Sequence, residues 1–206
     1  YNIGIGYNAG RLITTGVENT LIGGLAGDAL TDADHNVAVG TLALGADTLG
    51  SRNIAIGYAA LSTQNFTTAT NAYNVGIGHA AGNNVTTGVQ NTLVGGLSGD
   101  AITTGTDNVH IGYLSGSAAT DSNHNTSVGS HSLAVNTGGQ NTAVGRDALA
   151  ANTSASFNTA VGRSALSANT EGNRNVAVGK DAMRANTLGS RNVAVGESAL
   201  DALNLT

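Results

Sequence analysis

The side chains best suited to acid–base or metal chemistry in this sequence are its five histidines, His35, His79, His110, His124 and His131. No pair has the His-x-His or His-Glu-x-x-His spacing that brings two imidazoles to one metal ion. The chain has no Cys, which excludes thiolate ligands and a thiol nucleophile. The sequence therefore predicts no catalytic site, no metal and no cofactor, and we expect a protein that is not an enzyme.

A short acidic cluster offers oxygen atoms, the ligands that calcium prefers. It consists of Asp28, Asp32 and Asp34. No calcium-loop motif surrounds these residues, so solvated turn residues are the favoured interpretation.

The aromatic residues are few, at 3% of the chain, and they suggest binding rather than catalysis. Aromatic side chains exposed on a polar surface can stack on sugars or pack on proteins. The candidate ligand contacts are Tyr58, Phe66, Tyr73, His79 and Tyr113. The alternative stays open that these side chains cover neighbouring repeats or a partner chain.

A short repeat must position these residues. An Asn, three mostly small or aliphatic residues and a Gly recur twelve times, in steps of 17 residues except for one of 21 and one of 16. The Asn residues are Asn2, Asn19, Asn36, Asn53, Asn74, Asn91, Asn108, Asn125, Asn141, Asn158, Asn175 and Asn192. A period this short indicates a solenoid in which each repeat is one coil. Positions within a coil are called places, with the Asn at place 0.

Some places of the repeat hold only one or two residue types in nearly every copy. Place 3 is Val or Ile and place 4 is Gly in every copy, place 7 is Ala or Ser, and place 12 is Thr in ten of twelve. Val, Ile and Thr favour a strand over places 1 to 3, which the Gly ends. We expect a second short strand over places 6 to 8, with places 3 and 8 pointing inward. The residues that represent this structural ladder are Asn141, Gly145, Asn158, Gly162, Asn175 and Gly179.

Two further patterns describe the packing. Where place 8 is Leu or Met, place 11 is usually polar, as in Leu149 and Asn152; where place 8 is Gly, place 11 is apolar, as in Gly99 and Ile102. One buried slot is thus filled from either side of a turn. The 21-residue coil and the 16-residue coil both change length between place 12 and the next Asn. Insertions are tolerated at exposed turns, so the extra residues of the long coil predict a protruding loop at Asn65–Tyr73.

One thin coil offers few buried side chains, so identical chains are expected to cover another of its faces. The small residues at places 4 and 7 permit such an approach. The alternative is that they only make room inside the coil.

A family resemblance supports this expectation. The stretch Asn141–Thr153, repeated with small changes at 158–170 and 175–187, resembles the head repeats of trimeric autotransporter adhesins. It also resembles the repeats of phage tail fibres and bacterial surface fibres. The resemblance implies a left-handed parallel β-roll in which three chains lie side by side as a homotrimer. It also implies an extracellular location, at a cell surface or on a virion.

We therefore expect an all-β parallel solenoid of about twelve 17-residue coils, with residues 1–206 as one domain of a longer fibre protein. The expected function is noncovalent attachment to a cell surface through a host-cell or surface glycan or protein receptor. A passive shaft, or a self-assembled extracellular filament, is the alternative, and an ice-binding solenoid is a more distant one. The net charge of −5 argues against nucleic acid, and no apolar run is long enough to enter a membrane.

Overall fold

A computed structural model of the chain describes residues 1–202, and every regular element in that range is a β-strand. Residues 203–206 of the predicted repeat domain lie outside the described part. The strands are β1 Ile3–Ile5, β2 Thr20–Ile22, β3 Val37–Val39, β4 Gly50–Ser51, β5 Ile54–Ile56, β6 Thr70–Asn71, β7 Val75–Ile77, β8 Thr92–Val94, β9 Val109–Ile111, β10 Thr126–Val128, β11 Thr142–Val144, β12 Thr159–Val161, β13 Val176–Val178 and β14 Val193–Val195.

Twelve of these strands form one parallel sheet in the order β1-β2-β3-β5-β7-β8-β9-β10-β11-β12-β13-β14. Each strand pairs with the corresponding strand of the next coil, so Ala143 lies opposite Ala160 and Ala160 opposite Ala177. The chain is a parallel β-solenoid of about eleven turns, which confirms the fold that the repeat predicts. Left-handed winding stays a prediction from the resemblance. The long coil adds a second parallel pair, β4 and β6.

The expected strand over places 6 to 8 is wrong, because this segment forms turns. Leu42 at place 6 and Leu44 at place 8 have φ angles of 62° and 51°, which no strand residue adopts. The segment still bonds from coil to coil, since the N–H of Leu44 donates to the carbonyl of Ala60 at 3.0 Å.

The side-chain direction expected in the sheet is also wrong. The middle residue of each strand, at place 2, points inward, and the two ends point outward. Ala160 is fully buried, whereas Val161 at place 3 is 36% exposed. In every coil but the last, where Leu200 is exposed, the Leu or Met at place 8 does point inward and is buried, and it fills the space left by the small residue at place 2.

The universal glycine at place 4 is required by the stacking of coils. Gly162 has a φ of 130°, and a Cβ atom there would lie 2.5 Å from the carbonyl oxygen of Gly179. Gly145 meets Gly162 in the same way. The residue at place 7 is buried inside its own coil, as Ala148 and Ala165 show. These small residues therefore make room within the single chain.

Two columns of buried amides run along the interior. Asn141 Oδ1 accepts the backbone N–H of Asn158 at 3.0 Å, and its Nδ2 donates to the carbonyl of Ala155 at 2.9 Å. The polar residues at place 11 form the second column, which is confined to the coils with Leu or Met at place 8, and in it Asn169 Nδ2 donates to Asn152 Oδ1 at 2.9 Å. Because both columns are buried and bonded, each coil fixes the register of the next.

Candidate functional site

Two of the five predicted contact residues lie together on the surface. Tyr58 and His79 occupy place 5 in successive coils, and their rings stack with centroids 5.3 Å apart and an angle of 18° between planes. Tyr58 is 53% exposed. The pair therefore forms a flat aromatic surface at the carboxyl ends of β5 and β7.

Tyr113 continues this edge of the sheet. Its ring meets His131 edge-on at 5.7 Å, and its Cδ2 lies over Gly96, the place 5 residue of the coil between His79 and Tyr113. Tyr113 is as exposed as Tyr58. These residues form a discontinuous aromatic column along one edge.

Tyr73 lies at the other edge of the sheet, because it immediately precedes Asn74, at the amino end of β7. The Arg52 guanidinium lies over its ring at 5.9 Å. The structure therefore does not bring Tyr73 to the pair formed by Tyr58 and His79.

The expectation that Phe66 belongs to an exposed loop surface is not met. Phe66 is only 6% exposed and packs over Gly50. Its backbone N–H donates to Asp47 Oδ1 at 3.1 Å, and Gln64 Nε2 donates to Asp47 Oδ2 at 2.6 Å. Burial raises the pKa of Asp47 despite these donors. Phe66 is thus drawn inward around a buried carboxylate and is not offered to a ligand, whereas Thr67, Thr68 and Ala69 of the same loop are exposed.

The most extensive surface feature is apolar. It consists of the outward side chains at places 1 and 3 of the twelve-stranded sheet, here called the sheet face. Nineteen of its twenty-four residues are Val or Ile and five are Thr. Ile56, Ile111 and Val161 are 36%, 38% and 36% exposed even in the middle of the sheet. A continuous uncharged stripe of this length is unusual for an isolated soluble chain.

The amino edge of the sheet face carries paired side chains at place 16, a column that the repeat pattern alone did not reveal. His35 Nε2 lies 3.0 Å from Glu18 Oε2, and the Arg174 guanidinium lies 5.1 Å from the centre of the Phe157 ring. Phe157 is 50% exposed and is an aromatic surface residue that the candidate contacts omitted. Like Tyr73, it immediately precedes the Asn of the next coil, and this position was the signal available in the sequence.

The short coil leaves a surface depression of about 460 Å³. We call it the notch, and its rim includes Asp121, Asn123, His124, Gln140, Ser156 and Phe157. Its volume falls within the range of about 300–1,000 Å³ that small-molecule sites occupy.

Metal chemistry finds no support in the arrangement of the acidic cluster. Thr15 Oγ1 donates to Asp32 at 2.5 Å, and the Val17 N–H donates to Asp34 at 2.8 Å. Within residues 1–202 no three His, Asp or Glu side chains converge on a common point.

In comparisons with known proteins, no family model, no curated protein and no solved structure matches the chain. No helix of the described residues could cross a membrane.

Proposed function

We propose that this chain is a segment of a homotrimeric extracellular fibre, on a cell surface or a virion, that attaches to cells by noncovalent contacts. The observation that carries this proposal is the sheet face. Its central columns are aliphatic, whereas its two edges carry aromatic and charged side chains, and this arrangement is typical of a protein interface with an apolar centre and a polar rim.

The sheet face fits copies of the same chain better than an unrelated partner. It repeats with the period of the coil along the whole sheet and contains no charged residue, so equivalent strands of three parallel chains can meet in register. Such packing would cover the apolar surface that a thin single coil leaves open.

Attachment is supported by the aromatic edges, which remain at the rim when the sheet face is covered. The shaft alternative is supported by the separation of the predicted contacts, since Tyr58 and Tyr73 lie at opposite edges and Phe66 is buried. Ice binding has weaker support, because Thr occupies only five of the twenty-four positions on the flat face.

Light scattering of the purified protein tests the assembly. We expect three times the chain mass of 20.3 kDa for the parent. Val161→Asp should reduce this mass to that of a single chain, because it places a charge within the apolar sheet face. The circular dichroism of this variant should remain that of a β-protein, since Val161 points away from the interior.

Val135→Asp is the matched control. Val135 is 44% exposed and lies in the turn after Leu133, outside the sheet face. This variant should keep the parent mass. A parent of single-chain mass, or equal masses for the two variants, would contradict the proposal.

A further inference from the structure

The notch exists because one coil lacks one residue. Asn125 Nδ2 donates to the carbonyl of Gly138 at 3.0 Å, and in most other coils, including both flanking ones, the same bond goes to the residue at place 14. Thr137 occupies place 12, so the missing residue is the one at place 13. In the flanking coils this place holds Asp121 and Ser154. The deletion therefore removes one side chain from an exposed column and opens a gap between its neighbours.

An unpartnered hydroxyl group lies at the notch. Ser122 is one of its lining residues and is only 7% exposed. Its Oγ atom is buried and has no hydrogen-bond partner among the described residues. All other coils of ordinary length have Gly or Ala at this place, such as Gly105 and Ala155. A buried hydroxyl without a partner is unfavourable, so a donor or acceptor that reaches this group would stabilise it.

The rim of the notch presents both donors and acceptors. Thr103 and Thr104 donate to Asp121 Oδ1 at 2.7 and 2.9 Å, and these bonds lower the pKa of the Asp121 carboxyl. Asp121 is therefore held as an ionised acceptor. The side-chain amide of Gln140 and the Nδ2 of Asn123 make no hydrogen bond within residues 1–202, so these amides are available to a ligand.

One apolar surface completes the notch. Phe157 lines it, and the Arg174 guanidinium lies 5.1 Å from its ring centre, in the coil on the side away from Gln140. The arginine holds the ring in place through a cation–π contact. A ligand that enters the notch therefore meets one aromatic ring and a surrounding set of hydroxyl, amide and carboxylate groups.

We propose that the notch binds one neutral sugar unit of a surface glycan. A pyranose ring has hydroxyl groups that both donate and accept, and it has an apolar C–H face that packs on an aromatic ring. An anionic ligand would be repelled by the Asp121 carboxylate, whereas a purely apolar ligand would leave the amides unpaired. The biological use of this site rests on the proposed attachment function, but its binding does not.

Saturation-transfer NMR with free glucose, galactose and N-acetylglucosamine tests the site on the assembled protein. We expect transfer from the parent to at least one of these sugars. Phe157→Ala should weaken binding by at least about tenfold. Insertion of one Thr between Thr137 and Gly138 should do the same, because it restores a coil of ordinary length and fills the notch.

Leu12→Ala is the matched control, because Leu12 is an exposed apolar side chain, like Phe157, and lies in the first coil, away from the notch. It should bind sugar like the parent. The proposal is overturned if the parent binds none of the three sugars, or if the insertion variant binds like the parent. A trimer that binds no sugar would contradict the proposed sugar site but not the proposed fibre. A single chain that binds sugar would contradict the proposed fibre but not the sugar site.

Discussion

The Nδ1 atom of His110 lies 2.6 Å from the Oγ of Ser127 inside the solenoid. Ser115 Oγ lies 2.5 Å from the same hydroxyl group, and the Nε2 of His110 has no partner among the described residues. The aliphatic core is divided at this level into one cluster that extends through Ala119 and another that begins at Leu133. A polar layer thus interrupts an otherwise apolar interior.

The His110 layer predicts a loss of stability in mild acid. Burial lowers the pKa of His110 from 6.5 to about 4. Between these values the unfolded chain takes up a proton that the folded chain does not, so the free energy of unfolding falls as the pH falls. The loss reaches about 3 kcal/mol near pH 4 and is absent above about pH 6.5. Urea unfolding at about pH 7.5 and about pH 4.5 measures it.

His110→Leu is the variant that isolates this effect. Leu93 occupies the same place in the preceding coil, where it faces Gly99 as His110 faces Gly116, so Leu has a natural precedent there. The variant should lose less stability than the parent over the same pH interval. Equal losses in the two proteins would show that His110 does not carry the pH dependence.

A second prediction concerns the glycine at place 4. Gly162→Ala should destabilise the protein by more than about 3 kcal/mol, because the new Cβ meets the Gly179 carbonyl and the φ of 130° is strained for Ala. Gly24→Ala is the matched control, since no atom lies within 4 Å of a Cβ there. It should leave the thermal midpoint unchanged or raise it slightly. Similar midpoints for both variants would mean that the coils do not stack as described.

Much of the fold could be predicted from the period, because a 17-residue repeat with β-branched residues after each Asn favours one parallel strand per coil. The direction in which the strand side chains point could not be predicted from the period. The pattern Val-Ala-Val at places 1 to 3, as in Val176–Val178, allows either the ends or the centre to face inward. The interior is too thin for two large residues, so Leu166 at place 8 opposes Ala160 at place 2, and Val161 is left outside.

The surface sites depend on features that one coil does not reveal. Tyr58 and His79 occupy the same place in successive coils, so their stacking follows directly from the repeat. Insertions are usually exposed, which favours a surface position for Phe66, but the buried Asp47 draws its backbone inward. The notch depends on the place of a single missing residue, and the Asn125 bond to Gly138 locates that place.

The amide column gives a third prediction. Asn141→Ala should lower the free energy of unfolding by at least about 2 kcal/mol, because it leaves the Asn158 N–H buried without its acceptor and removes one of the two amide donors to the Ala155 carbonyl. Asn84→Ala is the control, since Asn84 is exposed and its side chain bonds only to Asn83, at 3.4 Å. It should change stability by less than about 0.5 kcal/mol. Both are compared at one protein concentration, because assembly contributes to the measured stability.

The two phenylalanines of the chain should separate folding from binding. Phe66→Ala removes a buried ring that packs over Gly50, so it should lower the free energy of unfolding by about 3–5 kcal/mol. Phe157→Ala removes an exposed ring and one cation–π contact, so it should lower it by less than about 1 kcal/mol. The effects on sugar binding, measured below the melting transition, should have the opposite order: Phe157→Ala should lose binding and Phe66→Ala should keep it. If Phe66→Ala unfolds at the parent's midpoint, the long loop is not packed inward, and the exposed loop surface expected from the sequence becomes the better description.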